Sequence, residues 1–186
     1  MRRITSTVAA GAVAASAFAG MAFAAENPMV GGAAMFSDKN IVENAVNSKD
    51  HTTLVAAVKA AGLVDTLSGE GPFTVFAPTN EAFEALPAGT VDSLLKPENK
   101  DMLVKILTCH VVGAEAFSKD IMKMVDDDKG AHPVKTVGGC VWTAKYEGDK
   151  LTLTDENGTV ANVTIADVDQ SNGVIHVIDK VLLPKM

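Results

Sequence analysis

Two short apolar segments far apart in the sequence constrain this chain most. Phe73-Thr74-Val75-Phe76 is a β-branched and aromatic run that stops at Pro78, whose missing N–H cannot extend a ladder. Thr79 or Asn80 then stands where a cap is needed for a helix carrying Phe83. In the second segment Asn172-Gly173 supplies a tight turn, and Val174 to Val177 is apolar on both strand faces, interrupted only by His176. A strand buried on both faces sits inside a sheet, and its backbone needs a neighbour on each side. The two runs are therefore predicted to lie beside one another in the core.

The chain between and around them changes its period once. Leu54, Val55, Val58 and Ala61 recur with helical spacing, with Asp50 as the expected N-cap and Gly62 as the left-handed stop. Asn40 to Val46 reads as a shorter helix and Thr90 to Leu95 as a turn. Glu98 to Thr108 reads as a helix with Met102, Leu103, Ile106 and Leu107 along one stripe. Beyond Lys129 the period becomes two: Cys140, Trp142, Ala144 and Tyr146 share one face, and Val141, Thr143, Lys145 and Glu147 the other. Gly148-Asp149 and Asn157-Gly158 are predicted hairpin turns, the second of type I′. Helices that precede a mostly antiparallel sheet make an α+β fold.

The first 24 residues read as a signal peptide. Arg2 and Arg3 precede an apolar, Ala- and Gly-rich stretch from Val8 to Ala24, and Ala22-Phe23-Ala24 is a small-x-small site with the cut after Ala24. The stretch is too short and too weakly apolar for a spanning helix, so no stable membrane insertion is expected after cleavage. Residues 25–37 read as a flexible leader and 38–184 as one domain. Of the 16 Lys and Arg two leave with the signal, so 14 face 23 Asp and Glu. Such a surface repels nucleic acid and anionic head groups.

Few residues suggest chemistry. Cys109 and Cys140 are the two cysteines, and an exported chain invites their pairing, with roughly 3–4 kcal/mol of stabilisation from the closed loop. Two buried, unpaired thiols are the alternative. Adjacent strand residues point to opposite faces, so Cys109 and His110 are poorly placed to share a zinc ion, and the four histidines lack ligand spacing. His110 and His176 lie in apolar runs and read as hydrogen-bonded core residues. Asp126-Asp127-Asp128 reads as a solvated loop, without the spacing of a calcium loop. No nucleophile elbow, phosphate loop or Cys-His-Asn set is present, so no catalytic residue, cofactor or metal ligand is assigned.

The segments Thr74 to Phe83 and Asn172 to Pro184 closely resemble the two signature motifs of the fasciclin domain. Leu107 to Val112 resembles that family's Tyr-His segment, with Cys109 where Tyr is usual. The resemblance implies a β-wedge or sandwich of mostly antiparallel strands with several helices packed in the N-terminal half. It assigns structural motif positions to Thr79, Asn80, His110, Asn172, Gly173 and His176, with His110 tying the motifs together. In animal members an Asp-Ile pair just before the second motif binds integrin; the matching positions here are Asp167-Val168, where the second residue departs. With Asp169 these form the expected binding segment, while Asp120-Ile121 is out of place and Ser118 reads as a helix cap. The implied function is that of a bacterial, secreted or periplasmic, non-enzymatic binding module for cell adhesion, meeting a cell-surface or matrix protein or glycan. The alternative is a periplasmic small-molecule binder or enzyme, which requires a deep pocket with convergent polar groups.

Overall fold

The described part of the chain is residues 27–185 of a computed structural model. The expected signal peptide and its cut after Ala24 lie outside those residues. Met29–Val30 (β1) and Ala33–Ala34 (β2) form a hairpin across Gly31 and Gly32, both at positive φ. Val30 and Met35 are buried in the core, so the segment expected as a flexible leader is anchored there at two side chains. Helix α1 (Ile41–Ala45) opens with a reciprocal cap: Asn40 Oδ1 accepts from the Glu43 N–H at 2.9 Å, and the Glu43 carboxylate accepts from the Asn40 N–H at 3.0 Å.

Helix α2 (Thr52–Ala61) ends on Gly62 at φ 74°, as its glycine requires. Its start corrects the expectation for Asp50, which lies inside a 3₁₀ turn, Lys49–His51, ahead of the helix. After α3 (Val64–Leu67) comes β3 (Phe73–Pro78), then α4 (Asn80–Glu84), capped by Thr79. The expected turn at Thr90 is a short helix, α5 (Thr90–Leu94). Helix α6 (Lys100–Cys109) packs on α2 through Leu103, Ile106 and Leu107, while Met102, on the margin of that stripe, is 43% exposed.

The remaining elements are β4 (Val111–Val112), α7 (Ser118–Asp127), β5 (His132–Lys135), β6 (Val141–Glu147), β7 (Lys150–Thr154), β8 (Val160–Gln170) and β9 (Gly173–Ile178). The acidic run at 126–128 closes α7 instead of forming a loop. Seven strands make one sheet in the order β4-β3-β9-β8-β7-β6-β5. Strand β9 lies parallel to β3, with Phe76 beside His176, and all the other neighbours are antiparallel. Every residue of β9 is buried. Val75, Ala77, Ile175 and Val177 face a core shared with α1, α2, α4 and α6, whereas Phe76 and Ile178 face a second core with Trp142, Leu153 and Leu182.

That second core exists because the sheet curls until its ends meet. Past β5, the Val137 N–H reaches the Val111 carbonyl at 2.7 Å and the Gly138 N–H reaches that of Thr108 at 2.9 Å. A Cys109–Cys140 disulfide crosses the same seam with Cα atoms 5.4 Å apart, which resolves the state of the two thiols. Gly138 is needed there, since a Cβ would fall 2.7 Å from the Cys109 nitrogen.

Two turns differ from their expected form. Gly148-Asp149 does join Glu147 to Lys150 directly, but Asn157-Gly158 belongs to a longer loop organised by Asp155, whose Oδ1 accepts from the N–H groups of Asn157 and Thr159. In the β8–β9 hairpin the turn residues are Ser171 and Asn172, with Gly173 already paired to Gln170. Gly173 is required for another reason: a Cβ there would lie 2.0 Å from the Phe73 carbonyl oxygen, where β3 passes.

Phe76→Ala is expected to cost about 3–5 kcal/mol, because it empties the centre of the second core. Gly173→Ala should be at least as damaging, since backbone and not a flexible side chain occupies the space. Urea unfolding checks both, and an unchanged midpoint in either variant contradicts this packing.

Candidate functional site

The motif side chains turn out to be clamps between distant pieces of backbone. Asn172 Oδ1 accepts from the Ile41 N–H at 3.0 Å, and its Nδ2 donates to the carbonyls of Leu67 and Gly69, each at 2.8 Å. One amide thus holds the start of α1, the end of α3 and the β8–β9 turn. Thr79 caps its own helix, accepting from the Ala82 N–H at 3.3 Å. Asn80 instead serves α2: its Oδ1 accepts from the Thr53 N–H at 3.0 Å while Nδ2 donates to Lys49 C=O at 2.7 Å. A distant side chain therefore caps the helix for which Asp50 was expected.

His110 is not in a strand, because α6 runs through Cys109 and leaves His110 as its C-terminal cap. Its Nε2 accepts from the Leu182 N–H at 3.1 Å, so the proton sits on Nδ1, which donates to Ile106 C=O at 2.8 Å. The ring joins α6 to the C-terminal segment. Burial drives its pKa down from 6.5 to about 4, against the opposing pull of the Ile106 carbonyl and Asp155. His176 does lie in a strand, stacked on Phe76 with ring centroids 5.6 Å apart. Its Nδ1 accepts from the Asp167 N–H at 3.2 Å, and Nε2–H donates to Ala116 C=O at 2.9 Å. Burial lowers its pKa too, so it is held neutral.

The expected binding segment sits where β8 is distorted. The β8–β9 register shifts between Val163 and Ile165 and again between Ile165 and Val168, and Asp167 takes φ 58°. Asp167 turns its carboxylate onto the first turn of α7, where Oδ1 accepts from the Ser118 N–H at 2.6 Å and Oδ2 from the Ser118 hydroxyl. Ser118 is therefore the residue held, not the cap. Val168 is fully buried, and only Asp169 of the three is exposed. Thr74 completes the arrangement, donating to Ala114 C=O at 2.6 Å and accepting from the Ala116 N–H at 2.9 Å.

Beside this bulge lies an open cleft of about 680 Å³ between α7 and the sheet, with Met122, Tyr146, Lys150, Asn162 and Thr164 among its walls. The Tyr146 hydroxyl donates to Ser118 C=O at 2.7 Å, and burial with Asp167 and Asp126 nearby raises its pKa. The sequence does not by itself mark Tyr146, Lys150 or Asp179 as cleft residues. Its available signal was the alternation of β6, which put Tyr146 on the inner face but at the hairpin end. Two small apolar cavities beneath α1 and α2 measure about 40 and 30 Å³. Each has room for water, against roughly 300–1,000 Å³ for a small-molecule pocket. Among the described residues no three His, Cys, Asp or Glu side chains are grouped to hold a metal ion.

Comparison with known proteins places these features in a family. The model of the Fasciclin domain matches residues 49–184. Protein sll1483 of Synechocystis is 50% identical over 91% of this chain and 87% of its own length. The cell surface glycolipoprotein MPB83 of Mycobacterium bovis is 34% identical over 87% of this chain and 69% of its own. A FAS1 domain pair from the insect cell adhesion molecule Fasciclin I superposes with a TM-score of 0.69 at 20% identity. That likeness is one of fold, covering 78% of this chain and about half of that structure, 51%.

His110 makes stability depend on pH with a definite sign. Its ordinary pKa is 6.5 and its folded value about 4, so the unfolded chain binds the extra proton between them. Stability is full above pH 6.5 and falls by up to about 3 kcal/mol as pH drops to 4, with His176 acting in the same direction. Urea unfolding at pH 7 and pH 4.5 should show this loss, and a smaller one in His110→Gln; equal losses in both proteins contradict it. Asp167→Asn should destabilise by about 1–3 kcal/mol, because the charged acceptor of two α7 hydrogen bonds is lost. Asp169→Asn should leave the melting temperature unchanged. If the two variants melt alike, Asp167 does not hold α7.

Proposed function

Since the chain belongs to the fasciclin-domain family, we propose that it is an exported binding module that acts in cell adhesion or in contacts with surface and matrix proteins or glycans. The observation that carries this is where the ligand-sized space lies. It is an open cleft on the outer surface, while the apolar cavities beneath α1 and α2 offer only water-sized volumes. This placement supports recognition from a surface, and the module proposed is a binding one. The adhesion molecule that shares the fold and the cell-surface placement of the mycobacterial relative support the same reading. Export rests on the sequence from Arg2 to Ala24, and no helix of the described residues is long and apolar enough to cross a membrane. The excess of acidic side chains disfavours nucleic acid as the partner.

Within the expected segment, the buried side chain of Val168 and the engaged carboxylate of Asp167 serve the fold, and Asp169 supplies the exposed contact. Beads coated with the full chain should adhere to envelope fragments of the source species several-fold better than beads carrying reduced and alkylated chain. Equal retention overturns the adhesion reading.

A further inference from the structure

We propose that the cleft beside α7 binds an extended, Lys- or Arg-bearing segment of a partner protein, which adds as a strand along the bare edge of β8. The inference rests on the reading that this domain recognises partners from its surface, and it names the site and the chemistry.

The edge is bare because two strands part company. Strands β7 and β8 pair at Thr154↔Val160, Leu153↔Ala161 and Thr152↔Asn162, and there the ladder stops. Strand β7 continues to Lys150 against β6, and β8 continues to Gln170 against β9. Among the described residues, β8 from Val163 onward pairs with a strand on one side and with none on the other. Backbone direction agrees. The N–H and C=O of Asn162 both turn toward Asp179, at 2.7 Å to its carboxylate and 3.1 Å from its N–H. In an antiparallel strand the next residue turns the opposite way, so Val163 offers its groups to the side that β7 has left. Leu151, Val163, Thr164 and Ala166 line the cleft there, so the opening lies directly over that edge. Uncovered strand edges are templates for an added strand.

Charge selects the occupant. Asp149 and Asp179 stand in the walls against one cation, Lys150. The Asp179 oxygens accept from the N–H and Nδ2–H of Asn162, and neither brings a positive charge. Among the described residues the one contact of salt-bridge geometry joins His132 Nδ1 to the Asp128 carboxylate at 2.6 Å, elsewhere on the surface. Carboxylates left without a cation beside an open edge favour a strand with basic side chains over an acidic one. The shifts of register near Ile165 keep the edge short and twisted, which limits pairing between copies of the chain.

The test is a titration of the ¹⁵N-labelled full chain, followed by its amide resonances. The probe is the capped hexapeptide Lys-Val-Lys-Val-Lys-Val, compared with its Glu-Val counterpart, with two analogues N-methylated on alternate residues, and with cellohexaose. The basic peptide should shift the amides of Lys150, Leu151, Val163, Thr164 and Ala166. One N-methylated analogue and the acidic peptide should bind at least several-fold more weakly, and Asp149→Asn, in an exposed turn, should weaken the basic peptide without altering the fold. No shifts at these amides, equal binding by both N-methylated analogues, or equal binding of the acidic peptide overturns the proposal. Cellohexaose shifting these amides in place of the peptide overturns it in favour of a glycan site. If no peptide binds while coated beads still adhere to envelopes, this site fails and the adhesion reading stands; peptide binding without bead adhesion is the reverse.

Discussion

The parallel pairing of β9 with β3 is the contact on which the other parts of the structure depend. A six-residue strand with every residue buried has its N–H and C=O groups matched by β3 on one edge and β8 on the other. Its two faces then divide the molecule. One face carries the helices packed through Ile175 and Val177, and the other fills the curled sheet through Ile178 and the stacked His176 and Phe76. The clamps hang from the same pair. Asn172 precedes β9, Thr74 lies in β3, and His176 reaches from β9 to the backbone that enters α7.

The curl supplies the second constraint. With the β4 and β5 ends of the sheet joined by backbone hydrogen bonds and by the Cys109–Cys140 disulfide, Trp142 is fully enclosed and its indole N–H is spent on Cys109 C=O at 2.6 Å. Partners for both ring nitrogens offset the cost of burying an imidazole in such a place, and His110 and His176 each have two. The price is that both must stay neutral. The surface proposed for recognition is what this closure leaves outside: a bulged β8, an α7 pinned by Asp167, and a cleft between them.

Much of this was legible in the residues, and the reasons for the rest are physical. The β3 and β9 runs, the Gly62 stop and the β6 alternation are local patterns, because each depends on burial of one element's own faces. The resemblance of two motifs then supplied the fold. The caps were harder: Asn80 serves α2 across 27 residues and Asp167 serves Ser118 across 49, so the partner of each depends on tertiary packing. His110 read as a strand residue because Val111-Val112 follows it, yet the helix persists one residue before it. The N-terminal leader looked structureless since its two core residues, Val30 and Met35, flank a Gly-Gly turn too short to show a period. Divergence of β7 from β8 could not be read at all, since it depends on tertiary pairing: β7 stays with β6 to Lys150 while β8 follows β9 along its other edge.

Native-state hydrogen exchange tests the central place of the β3–β9 pair most directly. Amides of Val75, Ala77, Ile175 and Val177 should be the slowest in the protein and exchange only through global unfolding, with protection equal to the unfolding free energy measured in urea. If those amides open locally while the β6–β7 hairpin holds the slowest ones, the sheet is organised from its other half and the account is wrong.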